Sequence, residues 1–143
     1  MSDDEPAKIV RRWFEEGWNK GNLNLIDELF SHNFRAQGGP HGTLDRLAYR
    51  QYAEMVILAA PGLQCEILEL LEAGDYIVTR VRSVGTHSGD VEGIDATGQD
   101  VVTEVVDVWK VEGGLIVERQ NTEFDNVGLG EQLNRKIRFN PDN

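Results

Sequence analysis

Val101-Val102-Thr103-Glu104-Val105-Val106-Asp107-Val108-Trp109-Lys110-Val111 is the stretch whose reading decides the fold. Its β-branched and aromatic content marks a strand. Two-residue alternation sends Val101, Val105, Asp107, Trp109 and Val111 to one face and Val102, Val106 and Val108 to the other. Both faces are apolar, so one packs on helices or encloses a pocket and the other must also be covered. Asp is depleted in strands, and a carboxylate among these neighbours costs free energy unless it has a partner or a task. Asp107 is therefore the first candidate for chemistry.

Downstream, Glu112-Gly113-Gly114 reads as a three-residue hairpin loop with Gly at its third position, leading into a strand over Leu115–Phe124. This loop pairs residue 111 with 115. Counting back, Asp107 falls directly across from Arg119, and Asn121 falls across from Val105 and diagonal to Asp107. A one-residue error would replace these neighbours by Gln120 and Glu118. Upstream, residues 63–72 and Tyr76 to Gly85 read as two strands joined at Ala73-Gly74-Asp75. Gly89, Gly93 and Gly98 punctuate an irregular loop before the 100–111 strand.

The front third is helical. Pro6 follows Asp4 and Glu5, and Ile9, Val10, Trp13, Phe14 and Trp18 recur at helical spacing up to a terminating Gly21. Asn22 is expected to cap a second helix carrying Leu25, Ile26, Leu29 and Phe30. A third helix starts near Thr43, carries Leu47, Tyr52, Met55, Val56 and Ala59, and stops at Pro61-Gly62. Leu129 to Lys136 can add a short helix, and residues 138–143 are expected to fray. Helices first and an antiparallel meander afterwards describe one α+β domain over residues 1–143, with its core at about 7–134. A second subunit laid across the outer sheet face is the economical cover, so a homodimer is expected.

Bulk properties exclude several classes. Hydrophobic residues at 40 % and aromatics at 8 % are too high for disorder. A net charge of −11 opposes binding to a phosphate backbone, so nucleic acid is not an expected partner. No apolar run approaches the roughly 18 residues of a membrane-spanning helix. The acidic start Ser2-Asp3-Asp4-Glu5 lacks the basic region of a secretory signal, and a cytoplasmic location is the expectation. Cys65, the lone cysteine, reads as a small buried filler. His32, His41 and His87 have no metal-ligand spacing, no glycine-rich loop opens a helix, and there is no Gly-x-Ser-x-Gly elbow.

Asp107 with Arg119 is either a cross-strand ion pair that fixes register or a proton-transferring carboxylate whose ionisation the guanidinium controls. Arg80 and Arg82 share a strand face and either bind an anionic group or pair with surface acids. His87, at a strand end, is either a proton carrier facing a ligand or a loop anchor. Trp13, Trp18 and Tyr52 supply core or pocket wall, with Trp13 assigned to the core.

The chain resembles the SnoaL-like polyketide cyclases of the nuclear transport factor 2-like superfamily. The resemblance runs through Ile9-Val10-Arg11-Arg12, Trp18-Asn19-Lys20-Gly21, Gly85-Thr86-His87-Ser88-Gly89, Gly93-Ile94 and Ala96-Thr97-Gly98. It continues through Asp107-Val108-Trp109-Lys110, Gly114-Leu115-Ile116-Val117-Glu118 and Gln132-Leu133. It implies a cone-shaped α+β fold, a curved antiparallel sheet packed on N-terminal helices around a deep pocket. It also implies a homodimer, no metal or organic cofactor, and intramolecular aldol chemistry on a polycyclic or polyketide-like molecule.

In the family an Asp on the last strand and a His on the preceding strand carry the proton. Here the first position falls at Asn121, or at Thr122 if the extra residue in Gln120–Glu123 is inserted earlier, and the second falls at Asp107. A pocket-entrance His of the relatives corresponds to Gln37. Asn121 is no base, but it can donate a hydrogen bond to an oxyanion. The resulting expectation is a catalytic group of Asp107, Asn121 and His87, with Trp18, Gln37, Tyr52, Arg80, Trp109 and Arg119 against the substrate. The competing readings are a dimeric domain that binds a small hydrophobic ligand without catalysis, and a hydrolase- or hydroxylase-type relative.

Overall fold

The computed structural model describes residues 5–38, 42–90 and 93–124, the last four of these by their backbone alone. In chain order the elements are α1 (Pro6–Arg12), a π-helical turn (Trp13–Trp18), α2 (Leu25–Leu29), β1 (Phe30–Gln37), β2 (Leu44–Asp45) and α3 (Arg46–Ala59). They are followed by β3 (Gln64–Ala73), β4 (Tyr76–Thr86), β5 (Asp100–Glu112) and β6 (Leu115–Phe124). The strands form one sheet in the order β2-β1-β6-β5-β4-β3. All pairings are antiparallel except β1 with β6. This is the expected α+β architecture, a curved sheet closed on one side by the N-terminal helices.

The helices pack on the inner face of the sheet. Ile9, Val10, Trp13, Phe14, Leu25, Ile26 and Leu29 meet Ile77, Val81, Trp109, Val111 and Ile116 in one core. Trp13, fully buried, is a core residue as its spacing implied. The expected continuous first helix instead widens after Arg12, where the Asn19 amide bonds the Phe14 carbonyl five residues back. The wide turn places Trp18 beside Trp13, ring centroids 5.6 Å apart. Gly17 permits this, because a β-carbon there would overlap the Trp13 ring.

Several local expectations are corrected. Asn22 does not cap α2, which starts at Leu25 behind Asn24 without a side-chain cap bond. Phe30 opens a strand instead of closing that helix. The third helix begins at Arg46, where Asp45 accepts from the Ala48 amide at 2.8 Å, a more effective cap than Thr43. Leu47 is 65 % exposed, and the buried face of α3 is Tyr49 and Ala53 with Tyr52 and Val56 beside them. The expected 129–136 helix and 138–143 tail lie outside the described residues. Among the described residues no helix is long and apolar enough to cross a membrane.

The hairpin between β5 and β6 is also tighter than expected. Gly113 and Gly114 form a two-residue turn with φ of 58° and 79°, the left-handed pair that glycine tolerates. Val111 pairs with Ile116, and then Lys110 with Glu118, so Val117 is an extra residue. A second shift, between Asn121 paired to Asp107 and Glu123 paired to Val106, leaves Thr122 as another.

Candidate functional site

The first of these bulges decides what Asp107 faces. Asp107 stands directly across from Asn121, and Arg119 stands across from Trp109. The expected Asp107–Arg119 rung is therefore wrong by two residues. A two-residue offset preserves the face of every side chain, so Arg119 remains a diagonal neighbour. Its Nη1 donates to Asp107 Oδ1 at 3.4 Å, with the two side chains 12 % and 9 % exposed. Arg119 Nε is buried with no hydrogen-bond partner among the described residues. The guanidinium carbon lies 5.5 Å from the centre of the Tyr49 ring, within cation–π range.

This pair forms part of the wall of a cavity of about 150 Å³. Phe14, Trp18, Val56, Leu63, Val81 and Val105 supply apolar wall, and Tyr49, Tyr52 and Trp109 line it together with Asp107 and Arg119. Trp109 is fixed on two sides. Its Nε1 donates to buried Thr79 Oγ1 at 2.9 Å, and Phe14 packs edge-on at 5.6 Å.

Of the residues singled out in sequence, Asp107, Arg119, Trp109, Trp18 and Tyr52 come together around this cavity. The others lie elsewhere or are not described. Arg80 is on the outer sheet face, 2.8 Å from Glu69 and 3.5 Å from Glu104, which corrects its placement against substrate. Its register partner Val106 lies opposite to Asp107 in the β5 alternation, and that parity was the available signal. Gln37 is exposed at the end of β1, and it is the next residue, Gly38, that borders the cavity.

His87 does not line the cavity either. Its Nδ1 accepts from the Thr97 amide at 3.3 Å and meets Thr97 Oγ1 at 3.1 Å. Its backbone bonds Gln99 and Gly98, each at 2.8 Å, so it ties the 87–99 loop together. This is the loop-anchor reading. The side chain of Asn121 lies outside the described residues.

Tyr49 is the residue that sequence reasoning missed. It is buried, accepts a hydrogen bond from Trp13 Nε1 at 3.3 Å, and contacts the rings of Phe30, Phe34 and Tyr52. Burial pushes its phenol well above the ordinary value; the Asp107 charge adds to this and the Arg119 charge opposes it. The hydroxyl is thus held protonated beside the carboxylate and the guanidinium. Its helical spacing to Tyr52, Ala53 and Val56 was the usable signal. Cys65, expected as a filler, borders the cavity half-buried, with Sγ 3.4 Å from Ser83 Oγ. Burial raises its thiol, the Ser83 contact opposes this, and the Asp107 charge adds to it. Among the described residues no group of three His, Cys, Asp or Glu side chains is placed to hold a metal ion.

A largely apolar cavity that holds the Asp107 carboxylate, the Arg119 guanidinium and the protonated Tyr49 phenol can bind a small planar molecule and move a proton on it. No curated protein sequence matches the chain at a significant level. Solved structures do. A candidate SnoaL-like polyketide cyclase from Jannaschia sp. CCS1 superposes with a TM-score of 0.83 at 19 % identity, covering 92 % of this chain and 93 % of the other. IdmH from Streptomyces antibioticus, a candidate polyketide cyclase, gives 0.78 at 23 % identity over 91 % and 99 %. AclR from Streptomyces galilaeus, a candidate hydroxylase, gives 0.84 at 20 % over 99 % and 92 %. These likenesses show a common fold. The family model for SnoaL-like polyketide cyclases matches residues 8–133, nearly all of the sequence, and the chain belongs to that family.

Proposed function

We propose that this protein is a cofactor-independent enzyme of the polyketide-cyclase type, acting on a small polyketide-like molecule with Asp107 as its base. The observation that carries this reading is the Asp107–Arg119 pair at the wall of an otherwise largely apolar cavity. Asp107 removes a proton from a carbon next to a substrate carbonyl, and the electron pair moves onto the carbonyl oxygen. Arg119 and the Tyr49 hydroxyl stabilise that enolate in a site with little water. The enolate carbon then attacks a second carbonyl of the same molecule, a carbon–carbon bond forms, and the new alkoxide takes up a proton.

The active form is a homodimer joined through the outer sheet face. Supporting it, Leu71, Tyr76, Val84 and Val102 are each at least 42 % exposed on β3, β4 and β5. A non-catalytic binding domain is the second reading, favoured by the same ion pair, which neutralises Asp107 within the fold.

The decisive measurement is α-proton exchange of 2-tetralone in deuterated buffer, followed by NMR. The wild type accelerates exchange, and Asp107→Asn lowers the acceleration about a hundredfold or more. Exchange at the buffer rate in the presence of wild-type protein, with 2-tetralone bound, would establish the second reading instead.

A further inference from the structure

The cavity has a second polar region that the proton-transfer step does not use. Cys65, Ser83 and Thr103 pair in register across β3, β4 and β5, and all three border the cavity. All three are half-buried, whereas Asp107 is buried. Between the two regions the sheet contributes the paired Val81 and Val105. The cavity is thus polar at each end and apolar in the middle.

The Cys65–Ser83–Thr103 row is built and held. Cys65 lies on β3, the edge strand, and Asn19 pairs with it as a neighbouring strand would. Asn19 Nδ2 donates to the Cys65 carbonyl at 3.0 Å, and the Cys65 amide donates to Asn19 Oδ1 at 2.6 Å. This clamp comes from the residue after Trp18, so the turn that aims Trp18 at the cavity also fixes the row. Cys65 Sγ and Ser83 Oγ are in contact at 3.4 Å. A hydroxyl offers one donor and two acceptor sites, so Ser83 keeps capacity beyond that contact. No side-chain partner of Thr103 Oγ1 is found among the described residues.

We propose that Ser83 and Thr103, backed by Cys65, form a specificity subsite for a hydroxyl or carbonyl at the far end of the substrate. Asn19 is its positioning residue. This inference rests on the reading of Asp107 and Arg119 as the reactive end, and it names the substrate class. Four residues along a strand, from Thr103 to Asp107, span about 13 Å. Subtracting a hydrogen bond of about 2.8 Å at each end leaves about 7 Å between the two substrate oxygens. That is the span of a flat two-ring skeleton oxygenated at opposite ends.

The test compares 2,6-dihydroxynaphthalene with 2-naphthol by calorimetric titration. The wild type binds the diol about tenfold tighter than the mono-alcohol. Ser83→Ala with Thr103→Val brings that ratio close to one, whereas Thr103→Ser preserves the preference. If the double variant does not fold, each single variant should lower the ratio about threefold. Asp107→Asn keeps the preference for the diol even if it abolishes tetralone exchange, so the two readings fail separately. A wild-type ratio near one, a preference that survives loss of both hydroxyls, or no binding of either probe overturns the proposal.

Discussion

Asp107 and Arg119 meet on a diagonal of the β5–β6 ladder, Nη1 to Oδ1 at 3.4 Å, because Val117 bulges out of the strand between the turn and Glu118. Each side chain is nearly buried, so each needs the other. Removing one partner from such a pair weakens the compensation of the other's charge and costs about 3 kcal/mol. Arg119→Met should therefore lower the melting temperature by about 10 °C. The Arg119→Met, Asp107→Leu double variant should recover most of that loss. Calorimetric melts of the single and double variants check this, and strictly additive losses would show that the two charges are not coupled.

Tyr49 links the site to alkaline stability. The ordinary value for its phenol is 10.0, and burial raises it in the folded protein. The folded state therefore holds the proton where the unfolded chain has released it, and stability falls as pH climbs above about 10. Below that pH the contribution is constant. Tyr49→Phe should be less stable by about 1 kcal/mol at neutral pH, through loss of the Trp13 partner. It should also show a shallower decline than the wild type between pH 10 and 11. Urea titrations at a series of pH values give both quantities.

The π-helical turn depends on a missing side chain. A β-carbon on Gly17 would overlap the Trp13 ring, which is itself wedged among Phe30, Tyr49 and Trp18. Gly17→Ala should destabilise the fold by about 1–3 kcal/mol despite the better helix propensity of Ala. It should also weaken 2-tetralone binding, because Trp18 loses its place at the cavity. A variant as stable as the wild type would mean that Trp13 has room to move.

The outer face of the sheet gives a test of assembly. Val84 and Val102 are directly paired and are both more than 40 % exposed, with Arg82 and Glu104 alongside. Sedimentation equilibrium should give twice the chain mass, and Val84→Arg should give the chain mass with the melting transition retained. A wild-type monomer at tens of micromolar removes the homodimer from the proposal.

Much of this was legible in the chain because it depends on parity or on local chemistry. Alternation in β5 assigned Asp107 and Trp109 to one face, and Arg119 stayed on that face despite the error in the loop, since two residues of slip restore the same face. The strand β1 was not legible. Ser31, His32 and Asn33 break its alternation, and only Phe30, Phe34 and Ala36 are buried, a spacing that reads equally well as helix. Leu47 was assigned to the buried stripe of α3 because it is apolar, yet which stripe faces inward is set by the sheet below.

The sequence by itself determined the N-terminal helices and the three long strands of the C-terminal meander, the face on which Asp107 lies, the family, and the place of Trp13 in the core. These follow from hydrophobic period, strand alternation and turn residues, all of which act over a few positions. Only the tertiary structure decided that Arg119 reaches Asp107 from a diagonal, that Arg80 belongs to the outer face, and that Tyr49 and the Cys65–Ser83–Thr103 row border the same cavity. Those depend on bulges and inter-strand register, where a displacement of one or two residues changes every long-range neighbour and leaves the local pattern untouched.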